Sequence, residues 1–411
     1  MNDSKHILLR QTLELHATGP DAREQADVLA RFCREKWPHL LENALNRFDD
    51  PDTVIRLDKV DITINIQPGE DLEEALENHL KNELPIALER AMSTAPEAQT
   101  KAGVALQWLL HLLEKGYLPW SVPSGLSLAE LEYLVSEGLP GNKAMLEKLL
   151  RILQQPRALR RLLAQFSEAM PKRIAEAIQR FDNMQVAFEA AFSNVPIKPE
   201  AAFAFWQTYF ADRQLFFAQQ ENTKIESITE KNIIPEKQIQ DNKHRGEEGI
   251  FINNAGLILL YPYLSAFFTK LGCIENKNEI SLPTKSLFAL HLACTGKDEA
   301  AEWELVLPKI LCGIDLDAPV ETHFNFSMDD KNEINDLLVS IIKNWPALKN
   351  SSPNALRETF LQRDGKLMWH NNQWRLQVAA NSVDVLLDKL PWGIGFIKLP
   401  WMPHPIMTEW T

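Results

Sequence analysis

Proline placement constrains this chain more than any other feature. Twenty-four prolines are scattered through 411 residues, and the longest run without one is Asn354–Leu390. Proline fixes φ, lacks an amide donor and pushes the residue before it towards an extended conformation, so it tends to end, restart or kink a helix. Even that longest run carries a hairpin signal, Lys366–Val378 (KLMWHNNQWRLQV), with Asn371-Asn372 at the turn and Trp369 and Trp374 flanking it. Many short elements are expected, not one long helix. Hydrophobic residues make up 45% and charged residues 24%, enough apolar material for a sizeable core. The expected fold class is α+β, predominantly α-helical.

Four segments follow from the patterning. Residues 1–92 read as a strand-helix-strand-helix module. Ile7, Leu9, Leu13 and Leu15 alternate with polar residues, and Gly19-Pro20 starts a helix with Ala26, Leu29, Phe32 and Cys33 on its apolar stripe. Pro38 breaks or restarts that helix. A second strand spans Val54–Ile66, with Val60, Ile62, Ile64 and Ile66 on one face and a phase slip near Asp58-Lys59. Pro68-Gly69 then turns the chain into an acidic helix over Asp71–Met92. Two strands make a thin sheet with open edges, which favours a partner chain or an oligomer unless later strands of the same chain supply the cover.

After a linker at Ser93–Thr100, residues 100–220 are a helical middle, with runs such as Ala144–Leu153 and Ala158–Phe166 set between prolines. Residues 221–249 contain no aromatic residue, are crowded with Lys, Glu, Asn and Gln, and read as a polar linker. Residues 250–411 hold seven of the eleven tryptophans and form a Trp-rich α+β module with the hairpin. Helices are expected there at Ala255–Leu271, Pro283–Cys294, Ala300–Cys312, Met328–Trp345 and Asn354–Arg363. Ser327 and Asp330 suit a capping pair, and extended pieces are expected at Gly395–Leu399 and Ile406–Trp410.

Several function classes fall away on chemistry. A net charge of −13 is unsuited to a uniform grip on nucleic acid or anionic lipid. Cys33, Cys273, Cys294 and Cys312 are too scattered for a disulfide framework and read as reduced, mostly buried thiols in a cytoplasmic protein. The N-terminus lacks the apolar core of a signal peptide. The most apolar stretch, Leu257–Phe268, is about half of the roughly 20 residues a membrane span needs and reads as a buried helix. No P-loop, GxGxxG, GxSxG or HExxH motif is present. His291 and Cys294 at helical spacing, with Cys312 beyond, fall short of a zinc site and read as core residues. Arg151, Arg157, Arg160 and Arg161 read as a solvated basic helix face, and Asp315, Asp317, Asp329 and Asp330 as turn and helix-start residues. No catalytic, metal or cofactor site is expected.

A structural phrase recurs instead: Leu118-Pro119-Trp120, Leu390-Pro391-Trp392 and Leu399-Pro400-Trp401. Proline stiffens the backbone while Leu and Trp offer apolar area at small entropic cost. Such segments either close their own domain or dock on a partner.

Taken in order, Asn254-Ala-Gly-Leu257 with Leu259-Leu-Tyr-Pro-Tyr-Leu264, then Glu304–Gly313, Leu356–Gly365, Asp384–Trp392 and Leu399-Pro-Trp401, resemble the contractile injection system tape measure protein family. The His6–Leu15 and Leu57–Ile66 segments and Gly116-Tyr-Leu-Pro-Trp120 fit the same family. The resemblance implies a part of a phage-tail-like particle, in which a sheath around a rigid tube contracts on a baseplate. In such machines the tape measure protein sets tube length. It implies architectural roles for Asn254, Gly256, Pro262, Arg357, Arg363 and Gly365, as caps, turns and buried guanidinium pairs. The implied partners are tube, baseplate or terminator components, with a homo-oligomer as a further partner class, without nucleic acid or stable membrane insertion. One departure stands out. A helical ruler grows by about 1.5 Å per residue of continuous helix, and these prolines deny it that continuity. Three functions follow: a non-enzymatic structural or assembly component, a chaperone-like helical adaptor that is not retained, and a cysteine hydrolase using Cys294 or Cys312.

Overall fold

The computed structural model describes residues 6–8, 11–14, 16, 22–50, 52–67, 70–95, 99–123, 125–141, 143–182, 192, 195–213, 216–217, 249–274 and 279–410. The chain divides into two compact units, Met1–Ala105 and Leu106–Thr411. The expected helix start at Gly19-Pro20, the turn at Pro68-Gly69 and all but the last residue of the polar stretch 221–249 lie wholly or largely outside the described residues.

The first unit is built on α1 (Ala22–Glu35), α2 (Trp37–Leu45) and α3 (Leu72–Thr94). Pro38 sits in the first turn of α2, where its missing N–H costs nothing, so it restarts the helix. Asp71 caps α3 by accepting from the Glu74 amide at 2.9 Å. Pro85 lies buried inside α3, which continues through it. Phe32, Leu76 and Leu80 form one small core and Ala44, Leu84 and Leu88 another. Ala26, expected on the apolar stripe of α1, faces out.

Both expected N-terminal strands are corrected. Among the described residues of 6–16 none is in a strand. In the second segment only β1 (Thr53–Val54) is a strand, paired antiparallel with β2 (Gln99–Thr100). Strand character in a sequence specifies alternation, but a ladder also needs a partner at the right register. The alternation itself is present. Leu57, Val60, Ile62, Ile64 and Ile66 are half-buried against the two cores, while Asp58, Lys59, Asp61, Thr63 and Asn65 are exposed. The phase slip at Asp58-Lys59 is therefore real.

The division between the units falls within α4 (Lys101–Lys115). The second unit continues through α5 (Leu128–Gly138), α6 (Lys143–Leu153), α7 (Pro156–Gln165), α8 (Ala169–Asp182) and α9 (Pro199–Ala211). Prolines again mark beginnings: Pro156 and Pro199 occupy first turns. Ser127 and Glu130 close a reciprocal capping box on α5.

The remainder mixes helix and sheet. After β3 (Ile250–Ile252), a 3₁₀ segment, Ala255–Leu260, runs into α10 (Tyr261–Lys270), with Pro262 in its first turn. Then come α11 (Pro283–Thr295), a 3₁₀ turn Glu302–Leu305, α12 (Val306–Leu311) and α13 (Met328–Asn344), whose start carries the expected Ser327–Asp330 box. A short α14 (Pro353–Leu356) passes into a π turn, Arg357–Leu361. Helices expected over Ala255–Leu271, Ala300–Cys312 and Asn354–Arg363 are thus split into 3₁₀, α and π pieces. In each of these, apolar density leaves helix type open while close packing tightens or widens individual turns.

The sheet follows in β4 (Gly365–His370), β5 (Gln373–Val378), β6 (Phe396–Ile397) and β7 (Ile406–Trp410), ordered β3-β4-β5-β7-β6. Asn371 and Asn372 both hold positive φ, 49° and 62°, which gives the two-residue turn the twist a hairpin requires. β5 and β7 are parallel and every other pairing is antiparallel. Strand β3 and a 3₁₀ stretch at Ser382–Lys389 were not expected. The architecture is predominantly helical with mixed α+β composition. No helix among the described residues is long and apolar enough to cross a membrane.

Candidate functional site

Four of the residues singled out in the sequence, Asn254, Gly256, Arg363 and Gly365, converge on one backbone junction of the second unit. The 3₁₀ segment that starts at Ala255 passes the π turn so closely that a Cβ on Gly256 would lie 1.7 Å from the Phe360 carbonyl oxygen. Only glycine permits that approach. The Ala255 amide donates to the Arg363 carbonyl at 2.9 Å, and a Cβ on Gly365 would meet Ala255 at 2.6 Å. Asn254, 3% exposed, donates Nδ2–H to the Glu304 carbonyl at 2.7 Å.

The two arginines differ. Arg363 forks onto Asp384 at 2.7 and 2.9 Å, donates to the Ala379 carbonyl at 2.5 Å and lies 5.5 Å from the Trp410 ring. Burial alone would raise the Asp384 pKa, but hydrogen bonds from Arg363 and the Asn381 amide hold it below the usual carboxylate value. Among the described residues, Arg357 makes no carboxylate pair. It donates to the Ala293 carbonyl at 3.0 Å and to Asn354 Oδ1 at 2.7 Å.

Two of the three Leu-Pro-Trp phrases meet on α10. Trp392 packs edge-on against Tyr263 at 5.4 Å, and the Tyr261 hydroxyl donates to the Gly393 carbonyl at 2.9 Å. Trp401 lies 5.7 Å from Phe268 and donates its indole N–H to the Leu311 carbonyl at 2.8 Å. Leu399 is buried, Leu390 half-buried, and Pro391 and Pro400 exposed. Leu118-Pro119-Trp120 stands elsewhere, half-buried in the turn after α4, where Tyr117 packs on the same core as Trp392 and Trp401.

The basic face expected around Pro156 needs correction, because Arg161 is fully buried. Its Nε donates to Glu302 at 2.8 Å, and its other nitrogens reach the carbonyls of Leu113 and Asp317. Lys309, also fully buried, donates to Glu302 at 2.6 Å and to the carbonyls of Leu316 and Ala318 at 2.9 and 2.7 Å. Gln165 joins through the Glu302 amide at 2.8 Å. Two cations and one carboxylate are tolerable away from bulk solvent because four backbone carbonyls share the excess charge. Burial pushes the Lys309 ammonium below its ordinary pKa, and Glu302 pulls it part of the way back. Gly116, at φ 79°, borders the network: a Cβ there would lie 2.6 Å from the Leu316 carbonyl oxygen and 2.7 Å from Glu302 Oε1. Of the remaining arginines, Arg157 pairs with Asp317 at 2.5 Å and Arg160 lies over Phe203. Sequence reasoning missed Glu302 and Lys309. The available signal was a lone lysine inside the apolar run Leu305–Leu311, since lysine is almost never buried without a partner.

These sites hold chain segments together; they are not arranged for bond chemistry. Cys294 is wholly buried and its pKa is pushed up to about 12 by that burial, and Cys312 is raised well above its ordinary value for the same reason. A nucleophilic thiol needs the opposite shift. His291 is 1% exposed, with Nε2 3.0 Å from the Glu299 carbonyl. Among the described residues, no cluster of three or more His, Cys, Asp or Glu side chains is placed to hold a metal ion.

Comparison with known proteins adds one match. A sequence model of the family described as contractile injection system tape measure protein matches residues 5–216 and 206–410. No curated protein and no solved structure matches the chain.

Proposed function

Because the chain belongs to the contractile injection system tape measure protein family, we propose that it is a structural and assembly component of a phage-tail-like particle, working through protein–protein docking. The family match over nearly the whole chain carries this reading. The internal geometry supports it, since the conspicuous residues are architectural: Gly256 and Gly365 allow close backbone approach, and Arg363 and Arg161 tie distant segments. The proposed partners are tube, baseplate or terminator components and further copies of this chain, met in the cytoplasm during assembly. The Leu-Pro-Trp segments are proposed to hold the docking surfaces in shape, and residues 1–92 to act as a module of their own.

One observation favours an assembly adaptor over a ruler. The longest helix among the described residues is α3, 23 residues, or about 35 Å at 1.5 Å per residue. A length gauge inside a tube needs far more continuous helix than that.

The test is electron microscopy of particles from cells lacking the gene, scored for tail length and completeness. Absent, stunted or length-scattered tails are expected. Normal tails of normal length would overturn the proposal. Proteomics of purified wild-type particles then separates a retained component, present at fixed stoichiometry, from an adaptor that leaves.

A further inference from the structure

Between α5 and α8 the second unit opens a cleft of about 360 Å³. Leu139 and Ala177, both buried, form its floor, and the Tyr133 ring stands at its edge, 65% exposed. The α8 wall carries Arg173, Glu176 and Arg180 and is net positive; the α5 wall carries Glu137 and is negative. Arg173 donates to the Ser136 hydroxyl at 3.0 Å, which ties the two walls together at one end. Arg180 and Glu137 are exposed. Tyrosine and arginine around an apolar floor are the residue types that anchor protein interfaces.

The first unit carries a ridge of matching pattern. Ile86 projects from α3 with 50% exposure, although its neighbours Leu84, Pro85 and Leu88 are buried. Glu89 and Arg90, one turn further on, are exposed. Three and four positions after Ile86, they fall on opposite flanks of it. With Ile86 seated over Leu139 and Ala177, Glu89 meets the positive wall at Arg180 and Arg90 meets the negative wall at Glu137. Only one direction of the incoming helix does this, since the reverse sets like charges together. Ile86 and Tyr133 are both exposed in the single chain, so the contact is one between molecules. We infer that α3 of one copy docks in the α5–α8 cleft of another, with Ile86 as the apolar anchor and Glu89–Arg180 and Arg90–Glu137 as flanking pairs. This deepens the proposal that further copies of the chain are partners by naming the surfaces they use. Because the two patches differ, copies link reciprocally in pairs or head to tail in rings and filaments.

The test uses the full chain. Sedimentation over a concentration series is expected to show species heavier than 46.9 kDa. Arg180→Glu and Glu89→Arg each bring like charges together across the contact and are expected to weaken association by about tenfold or more. An equimolar mixture of the two variants restores opposite charges wherever α3 of one meets the cleft of the other. That mixture is expected to associate like the unaltered chain. Three results would each overturn the inference: a monomer throughout the series, single variants that associate as tightly as the unaltered chain, or a mixture that associates no better than either variant alone. None of these bears on tail assembly, which the deletion experiment reads separately.

Discussion

Arg161 and Glu302 are joined by a 2.8 Å ion pair with both side chains excluded from solvent, although 141 positions separate them in the chain. The pair fastens α7 to the 3₁₀ turn that opens α12, and Lys309 completes it from the other side of the carboxylate. Removing one partner leaves a buried charge uncompensated. Arg161→Met or Glu302→Gln is therefore expected to destabilise the fold by about 3–5 kcal/mol, read by urea denaturation. Replacing Arg161, Glu302 and Lys309 together by apolar residues of similar volume should cost far less than any single change.

Gly256 offers a sharper steric test. With the Phe360 carbonyl oxygen 1.7 Å from where a Cβ would sit, Gly256→Ala forces backbone apart and should cost about 3 kcal/mol or more. Gly393 and Gly395 have nothing within 4 Å of that position. Alanine there should change stability by no more than about 0.5 kcal/mol. Thermal melts of the three variants compare them directly.

Trp401 should report closure of its own unit. Trp401→Ala removes its contact with Phe268 and is expected to cost about 3–5 kcal/mol. Trp401→Phe keeps an aromatic ring but strands the Leu311 carbonyl, which should cost about 1–3 kcal/mol. Equal losses in the two variants would mean that the ring makes no contribution beyond its hydrogen bond.

Acid sensitivity should appear well above the carboxylate range. His111 is held down to about pKa 4, chiefly by burial and then by the positive charges of Lys115 and Lys148. An unfolded histidine titrates near 6.5, so between about pH 6.5 and 4 the unfolded chain binds a proton that the folded chain refuses. Stability is therefore expected to fall as pH drops through that window. His111→Gln should flatten the slope in denaturation curves taken at successive pH values.

Thiol chemistry gives a final check. Burial raises all four cysteine pKa values, and Cys273, Cys294 and Cys312 are buried while Cys33 is half-buried. Iodoacetamide at neutral pH should label Cys33 first and leave the other three unmodified until the chain unfolds. Rapid labelling of Cys294 or Cys312 in the native protein would restore the hydrolase reading.

What could be read directly from the sequence is what neighbouring residues decide among themselves. Asn371-Asn372 selects its own turn, Ser327 and Asp330 their own cap, and Pro38 the start of its own helix, because each acts within about one turn of chain. The inward alternation of Val60, Ile62, Ile64 and Ile66 was equally plain. Whether that segment gained a ladder was not, since a strand's partner lies outside its own pattern. Arg157, Arg160 and Arg161 look like a solvated basic helix face until Glu302 is brought against one of them. The 1.7 Å approach at Gly256 and the parallel pairing of β5 with β7 likewise join residues far apart in the chain. Local sequence determined the elements. Only the tertiary structure decided which charges, glycines and tryptophans would meet, because that depends on distances the folded chain alone creates.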